Sequence, residues 1–435
     1  MSTTAKVCRG TWCMAFGFDP PATMEQVAPV LSAFGYDGIE LGGFFDHATV
    51  ERFPDKVSRR KLKAWLNDDL DLEIAGIAPG PYGDLFRLPW ATGSQEVYDQ
   101  YLEYFEGYLQ LAADMEIPGM RVDPGAAGPL PYDADYAQVW DRVVRTFQYH
   151  AEKGAEVGCV MLWELESLQP FNKPSETVKM LDDVGHPNFK LMYDTGHFQA
   201  CGVIGHNHVQ PAETLPNQIE FIKLLPEGSI GHIHLCDTDM NTHLNMFGTK
   251  CNFGEGIIDF EALMPVLAEA YDGEWWAVDS IPMGSKAWQD TWDGLPFLND
   301  LLDRHVRARA AVARAQGCDE GGSLLRAGGP AARGRARTGG GPGRGRRPRP
   351  RLRLLRLRHR VLLRQEPARH AGWVRPARPR RRPRGRARAG LSHPACRAGS
   401  RRATGSRSTR CRAATPATPA GPGRWRSART CRCSA

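Results

Sequence analysis

Eight short apolar segments, each followed by a longer stretch of helical period, alternate from Lys6 to Leu302. The strand-like segments are Lys6–Cys13, Gly38–Leu41, Glu73–Ala78, Gly119–Val122, Cys159–Glu164, Phe189–Asp194, Ile230–Leu235 and Trp275–Asp279. The helical stretches are Thr23–Phe34, Arg59–Asp68, Glu96–Met115, Tyr136–Val157, Pro174–Val184, Pro216–Leu225, Phe260–Tyr271 and Ala287–Leu302. Each strand is short and mainly apolar, as parallel strands covered on both faces are. Such alternation marks an α/β architecture, and eight units in about 300 residues close most naturally into a (β/α)8 TIM barrel. An open doubly wound sheet is the competing topology, but no G-x-G-x-x-G follows an early strand.

Charge divides the chain at the end of this pattern. The formal net charge of +7 averages two unlike parts. Residues 305–435 hold 36 Arg, no Lys and three acids (Asp319, Glu320 and Glu366). Residues 1–304 hold 20 basic and 46 acidic side chains, a net charge near −26. The expected domains are therefore a barrel over 1–303 and a basic low-complexity region over 304–435. Segments such as RGRRPRPR (344–351) and RPARPRRRPRGRAR (375–388) offer too little apolar surface to offset the entropy of ordering them, so a disordered tail is expected. Three readings of it stay open: a polycation for nucleic acid or an acidic partner, a solvated tail without a partner, or the product of a shifted reading frame. Leu352–Leu363 is apolar and basic enough for a transient amphipathic helix.

The acidic barrel region repels phosphate backbones, so nucleic acid is not its expected partner. It contains no run of about 18 apolar residues, and no membrane span is expected. Its N-terminus lacks a basic-then-apolar leader, which points to the cytoplasm. Six widely spaced cysteines (Cys8, Cys13, Cys159, Cys201, Cys236, Cys251) without a C-x-x-C pair read as reduced thiols.

The informative residues lie at strand ends. In (β/α)8 barrels the chemistry sits where the strands' carboxyl ends converge. Here those ends carry Glu40, Arg121 with Asp123, Glu164 with Glu166, Asp194 with His197, His232 with His234 and Asp237, and Asp279. A mouth this rich in carboxylates repels itself unless a cation sits in it. Three carboxylates and an imidazole suit a divalent ion of the Mn²⁺, Mg²⁺, Co²⁺ or Zn²⁺ type. Plainer readings exist for each. Glu40 can be a salt-bridge partner, His232 a buried histidine, and Asp194 a helix N-cap. Arg121 with Asp123 reads as a structural ion pair. Trp163, Trp275 and Trp276 read as packing, whereas Trp12 near the mouth can stack on a sugar ring.

The segments GCVMLWELE (158–166), FNKPSE (171–176), HPNFKLMYDTGH (186–197), IGHIHLCD (230–237), FGEGIIDF (253–260) and GEWWAVDS (273–280) resemble the sugar phosphate isomerase/epimerase barrels of the xylose isomerase-like superfamily. The resemblance spans nearly all of 1–303. It implies a metal held by Glu164, Asp194, His234 and Asp279, with Glu164 and Asp279 also moving the proton. It implies that His197 binds a substrate hydroxyl or carbonyl; Glu166, as a substrate contact or a partner of Glu164, and His232, Glu40 and Trp12 are further candidate substrate contacts. Described epimerases of this kind usually carry Glu on strand eight; Asp279 is one methylene shorter. The implied activity is isomerisation or epimerisation of a small-molecule sugar or polyol through an enediolate, with dehydration or lysis as the close alternative. A homo-oligomer is compatible with the sequence.

Overall fold

A computed structural model describes residues 5–308 except 16–19, 81–87, 127, 129, 132, 241–249 and 281–286. The basic region from residue 309 onward, for which a disordered tail is expected, lies outside the described residues.

The strands are β1 (Lys6–Gly10), β2 (Gly38–Gly43), β3 (Glu73–Pro79), β4 (Gly119–Val122), β5 (Val160–Glu164), β6 (Phe189–Asp194), β7 (Ile230–Leu235), β8 (Asp237–Thr238), β9 (Lys250–Cys251) and β10 (Trp275–Val278). Eight of them form a closed barrel in the order β1-β10-β7-β6-β5-β4-β3-β2, and every adjacent pair in it is parallel. The remaining two, β8 and β9, make a small antiparallel hairpin beyond β7. The helices are α1 (Trp12–Ala15), α2 (Met24–Phe34), α3 (Lys56–Ala64), α4 (Gln95–Met115), α5 (Tyr136–Val157), α6 (Pro174–Val184), α7 (Thr195–Phe198), α8 (Gln218–Ile222), α9 (Phe260–Ala270) and α10 (Ala287–Leu302). The barrel thus matches the expected fold, strand for strand. Among the described residues no helix is long and apolar enough to cross a membrane.

Local chemistry explains the helix limits. Asp135 accepts the amides of Ala137 and Gln138 to start α5, and Gly158 ends it in the left-handed region at φ 74°. A side chain at Gly158 would strain that turn, whose direction feeds the chain straight into β5. One expected strand is too long. Lys6–Cys13 stops at Gly10, and Trp12 begins a helical turn, because the Thr11 amide bonds the Glu40 carbonyl and the chain then coils. The apolar run through Trp12 and Cys13 serves the barrel mouth instead of the sheet.

Side chains facing outward from the strands meet the helices. Trp163 and Trp276 are fully buried there, and Trp163 stacks on Phe189 at 6.3 Å. Trp275 points into the barrel with Cys8, Ala75 and Ala277 and fills its lower end. These tryptophans are packing, as the sequence reading has it; burying each aromatic contributes roughly 2–3 kcal/mol. Where β2 meets β3 the register slips after Ile39, so Glu40 faces Gly76. A Cβ on residue 76 would lie 3.3 Å from Glu40 Oε1, so glycine there leaves the interior space that the carboxylate occupies.

Candidate metal centre

Glu164 and Asp194 are the last residues of β5 and β6, His234 sits near the end of β7, and Asp279 follows β10. Parallel pairing sets Asp194 opposite His234, and His234 opposite Ala277. Closure therefore gathers four residues spread over 116 sequence positions. One donor atom from each of Glu164, Asp194, His234 and Asp279 lies within 4.8 Å of the others, and all four residues are buried. Donors around one ion with bonds of 2.0–2.2 Å lie roughly 3–4.4 Å apart, so small side-chain shifts bring the four within reach of a single ion.

His234 joins two carboxylates. Its Nδ1 is 3.1 Å from Glu164 Oε1 and 3.8 Å from Asp279 Oδ2, while Nε2 is 3.2 Å from Glu40. Burial opposes a charged ring, yet Glu40 and Glu164 raise its pKa well above the ordinary value. The arrangement also fits a ligand role. With Nδ1 on an ion, Nε2–H donates to Glu40, the carboxylate–histidine pairing that orients metal-bound imidazoles. Glu40 faces His232 as well, at 3.0 Å. Burial would raise its pKa, but the two imidazoles lower it to about 2. His232 is buried under His234 with the rings in edge contact at 5.3 Å. Glu40 and His232 thus stand behind the cluster as supports.

Asp194 is both an N-cap and part of the cluster. Its Oδ1 accepts the His197 amide at 2.8 Å, and its Oδ2 faces Lys250 Nζ at 3.4 Å. His197 lies on α7 with Nε2 4.0 Å from Glu166 Oε1, and Glu164, Glu166 and His197 bring donor atoms within 4.8 Å. Trp12 takes an edge position: its indole N–H donates to Asp279 Oδ1 at 2.7 Å, and its ring lies 5.9 Å from His234. It is 4% exposed, so its larger service is to aim Asp279.

Two basic residues complete the centre: Arg121, which the sequence places at the mouth as an ion-pair partner of Asp123, and Lys250, which it does not single out. Arg121 on β4 holds Asp123 at 3.0 Å, Glu164 Oε2 at 2.6 Å and Glu166 at 2.5 Å. One guanidinium shared by three buried acids favours ionised Glu164, whose pKa falls to about 2 because Arg121 and His234 outweigh burial. Burial dominates for Asp123 and Glu166, which are raised. Lys250, on β9, is 4% exposed, and its ammonium lies 2.9 Å from Asp279 Oδ2. Arg121 was visible as a strand-end residue; Lys250 carried no signal, since it sits in a two-residue strand outside the alternating pattern. Asp237 is structural. It accepts amides from Thr238, Gly254, Gly256 and Ile258, so the GEG of FGEGIIDF exists to wrap this carboxylate.

Comparison with known proteins agrees with this architecture. A family model described as "Xylose isomerase-like TIM barrel" matches residues 29–290. Among curated proteins none matches the chain in sequence. Three solved structures are similar in fold. A xylose isomerase-like TIM barrel/4-hydroxyphenylpyruvate dioxygenase fusion protein superposes with TM-score 0.51 at 16% identity, over 72% of this chain and 44% of that one. This chain therefore spans less than half of the fusion protein. A D-tagatose 3-epimerase-like protein gives TM-score 0.52 at 18% identity, over 68% of this chain and 97% of that one. The protein IolI, solved with a bound zinc atom, gives 0.52 at 14% identity over 69% and 99%. With a closed eight-stranded barrel, strand-end acids and histidines, and a family match across most of the barrel, the chain belongs to the xylose isomerase-like TIM barrel family.

Proposed function

We propose that this protein is a divalent-metal-dependent enzyme that isomerises or epimerises a sugar or keto-sugar. One observation carries the reading: the buried carboxylates of Glu164, Asp194 and Asp279 and the His234 imidazole bring donor atoms within 4.8 Å of one another. Names of structural neighbours, an epimerase-like protein and a zinc-bound barrel, support the same reading. The donor set of three carboxylates and one imidazole fits Mn²⁺, Mg²⁺, Co²⁺ or Zn²⁺. Bound there, such an ion supplies the charge that polarises a carbonyl and its neighbouring hydroxyl.

The chain's own residues do the rest. Glu164, kept ionised by Arg121 and His234, accepts the proton from the carbon beside the carbonyl. Asp279, oriented by the Trp12 indole, takes up a proton from water and delivers it to the opposite face in an epimerisation, whereas in an isomerisation the protonated Glu164 gives its own proton to the neighbouring carbon. His197 and Glu166 lie at the rim of the cluster and bind substrate hydroxyls. Elimination begins with the same proton removal and differs in losing a group from the adjacent carbon.

The test is solvent-deuterium exchange by the full-length protein with Mn²⁺ and a panel of ketoses and inososes. Deuterium is expected at the carbon beside the carbonyl, with rearranged product for an isomerase and loss of water for a dehydratase. E164Q lowers exchange by about 10²–10⁴-fold, the usual share of a general base. Exchange that survives both E164Q and chelation refutes the proposal.

A further inference from the structure

Lys250 is an unexpected occupant of a cation centre. Its Nζ lies 2.9 Å from Asp279 Oδ2, 3.1 Å from the Asp279 carbonyl and 3.4 Å from Asp194 Oδ2. The other oxygen of each acid is engaged elsewhere: Asp194 Oδ1 takes the His197 amide, and Asp279 Oδ1 takes the Trp12 indole. The two Oδ2 atoms are those left to face a ligand, and the ammonium holds both. An ion and an ammonium cannot share that place, because the ammonium directs protons at the oxygens that an ion needs bare. Like charges so close also repel strongly in a buried site.

Lys250 reaches in from a fixed base. It pairs with Thr238 across the β8–β9 hairpin, and Asp237 gathers four amides around the foot of that hairpin. Gly196 lies beneath its stem, where an added Cβ would come within 3.8 Å of Lys250 Cε. The backbone is anchored, yet the four-carbon stem is flexible enough to move the ammonium by side-chain rotation alone.

We propose that Lys250 is a tethered cation that competes with the divalent ion for Asp194 and Asp279, and thereby sets how tightly the centre binds metal. The inference rests on the reading that Glu164, Asp194, His234 and Asp279 hold that ion. Metal entry displaces the ammonium, which is then left beside the centre as a positive group for an oxygen of the substrate. A lysine whose role is only to support the fold predicts the reverse for its removal: a disordered cage that binds metal more weakly.

Calorimetric titration of the full-length, chelator-treated protein with Mn²⁺ separates these possibilities. K250M is expected to bind one ion at least tenfold more tightly than the wild type, and K250R no more tightly than the wild type. The metal-induced rise in melting temperature should also be larger in K250M, since its acids lose their internal counter-charge. Should K250M fail to fold, K250Q removes the charge while keeping a polar head and carries the same expectation. Equal or weaker binding by the neutral variants, with one ion still bound by the wild type and lost in D194N, overturns the role of Lys250 alone. Binding by neither wild type nor neutral variants overturns the metal reading along with it.

Discussion

Arg121 shows how much of the centre depends on one side chain. Asp123, Glu164 and Glu166 are all buried, and its guanidinium contacts each of them. Removing one partner of a buried ionic group costs more than the group contributes, since the remaining charges lose both solvent and counter-ion. R121M should therefore destabilise the protein by about 3–5 kcal/mol, read from urea unfolding at pH 7. The deficit should shrink as the pH falls, because acids left without Arg121 take up protons in the folded state more readily than their wild-type counterparts. An unchanged unfolding midpoint contradicts this account. The residues of the cluster were legible for a simple reason: each ends a strand, and strand ends in this fold share one mouth. The sequence did not show what their second atoms do. That Asp194 is cap and cluster member at once, or that Trp12 holds Asp279 instead of lying open to a sugar, depends on side-chain directions that spacing does not encode.

At the scale of elements, long periodic segments were read to the residue, as with Tyr136–Val157 and Pro174–Val184, because caps and glycines mark their ends. Short elements were not. Trp12–Ala15 continues an apolar run and looks like strand, and the five-residue α8 (Gln218–Ile222) was overextended at both ends. The β8–β9 hairpin left no trace, since two-residue strands have no period to detect. Its order comes from Asp237, which satisfies amides that the strands cannot. D237A leaves four backbone donors without their charged acceptor; hydrogen bonds to charged groups are worth roughly 1.5–3 kcal/mol each. A loss of about 3 kcal/mol is expected once water replaces part of the network. Hydrogen exchange should speed up across residues 250–258 while β5 and β6 stay protected. Uniform exchange across all three would place the anchor elsewhere.

For the whole molecule, closure of the cylinder turns remote sequence positions into neighbours. The strand circuit returns to β1 at residue 278, and Arg9 on β1 reaches Asp290 of α10 at 2.8 Å to fasten the last unit to the first. Both charges of that pair are buried, so it fixes the register of closure more than it adds stability. The contrast in charge between 1–304 and 305–435 was equally plain in the sequence, and the candidate centre lies in the acidic part. The most direct test is an anomalous difference map from crystals of the full-length protein grown with Mn²⁺. One strong peak is expected, about 2.0–2.2 Å from donor atoms of Glu164, Asp194, His234 and Asp279, with the Lys250 ammonium withdrawn from Asp194. No peak among these four residues under saturating Mn²⁺, or a peak elsewhere on the barrel, contradicts the account.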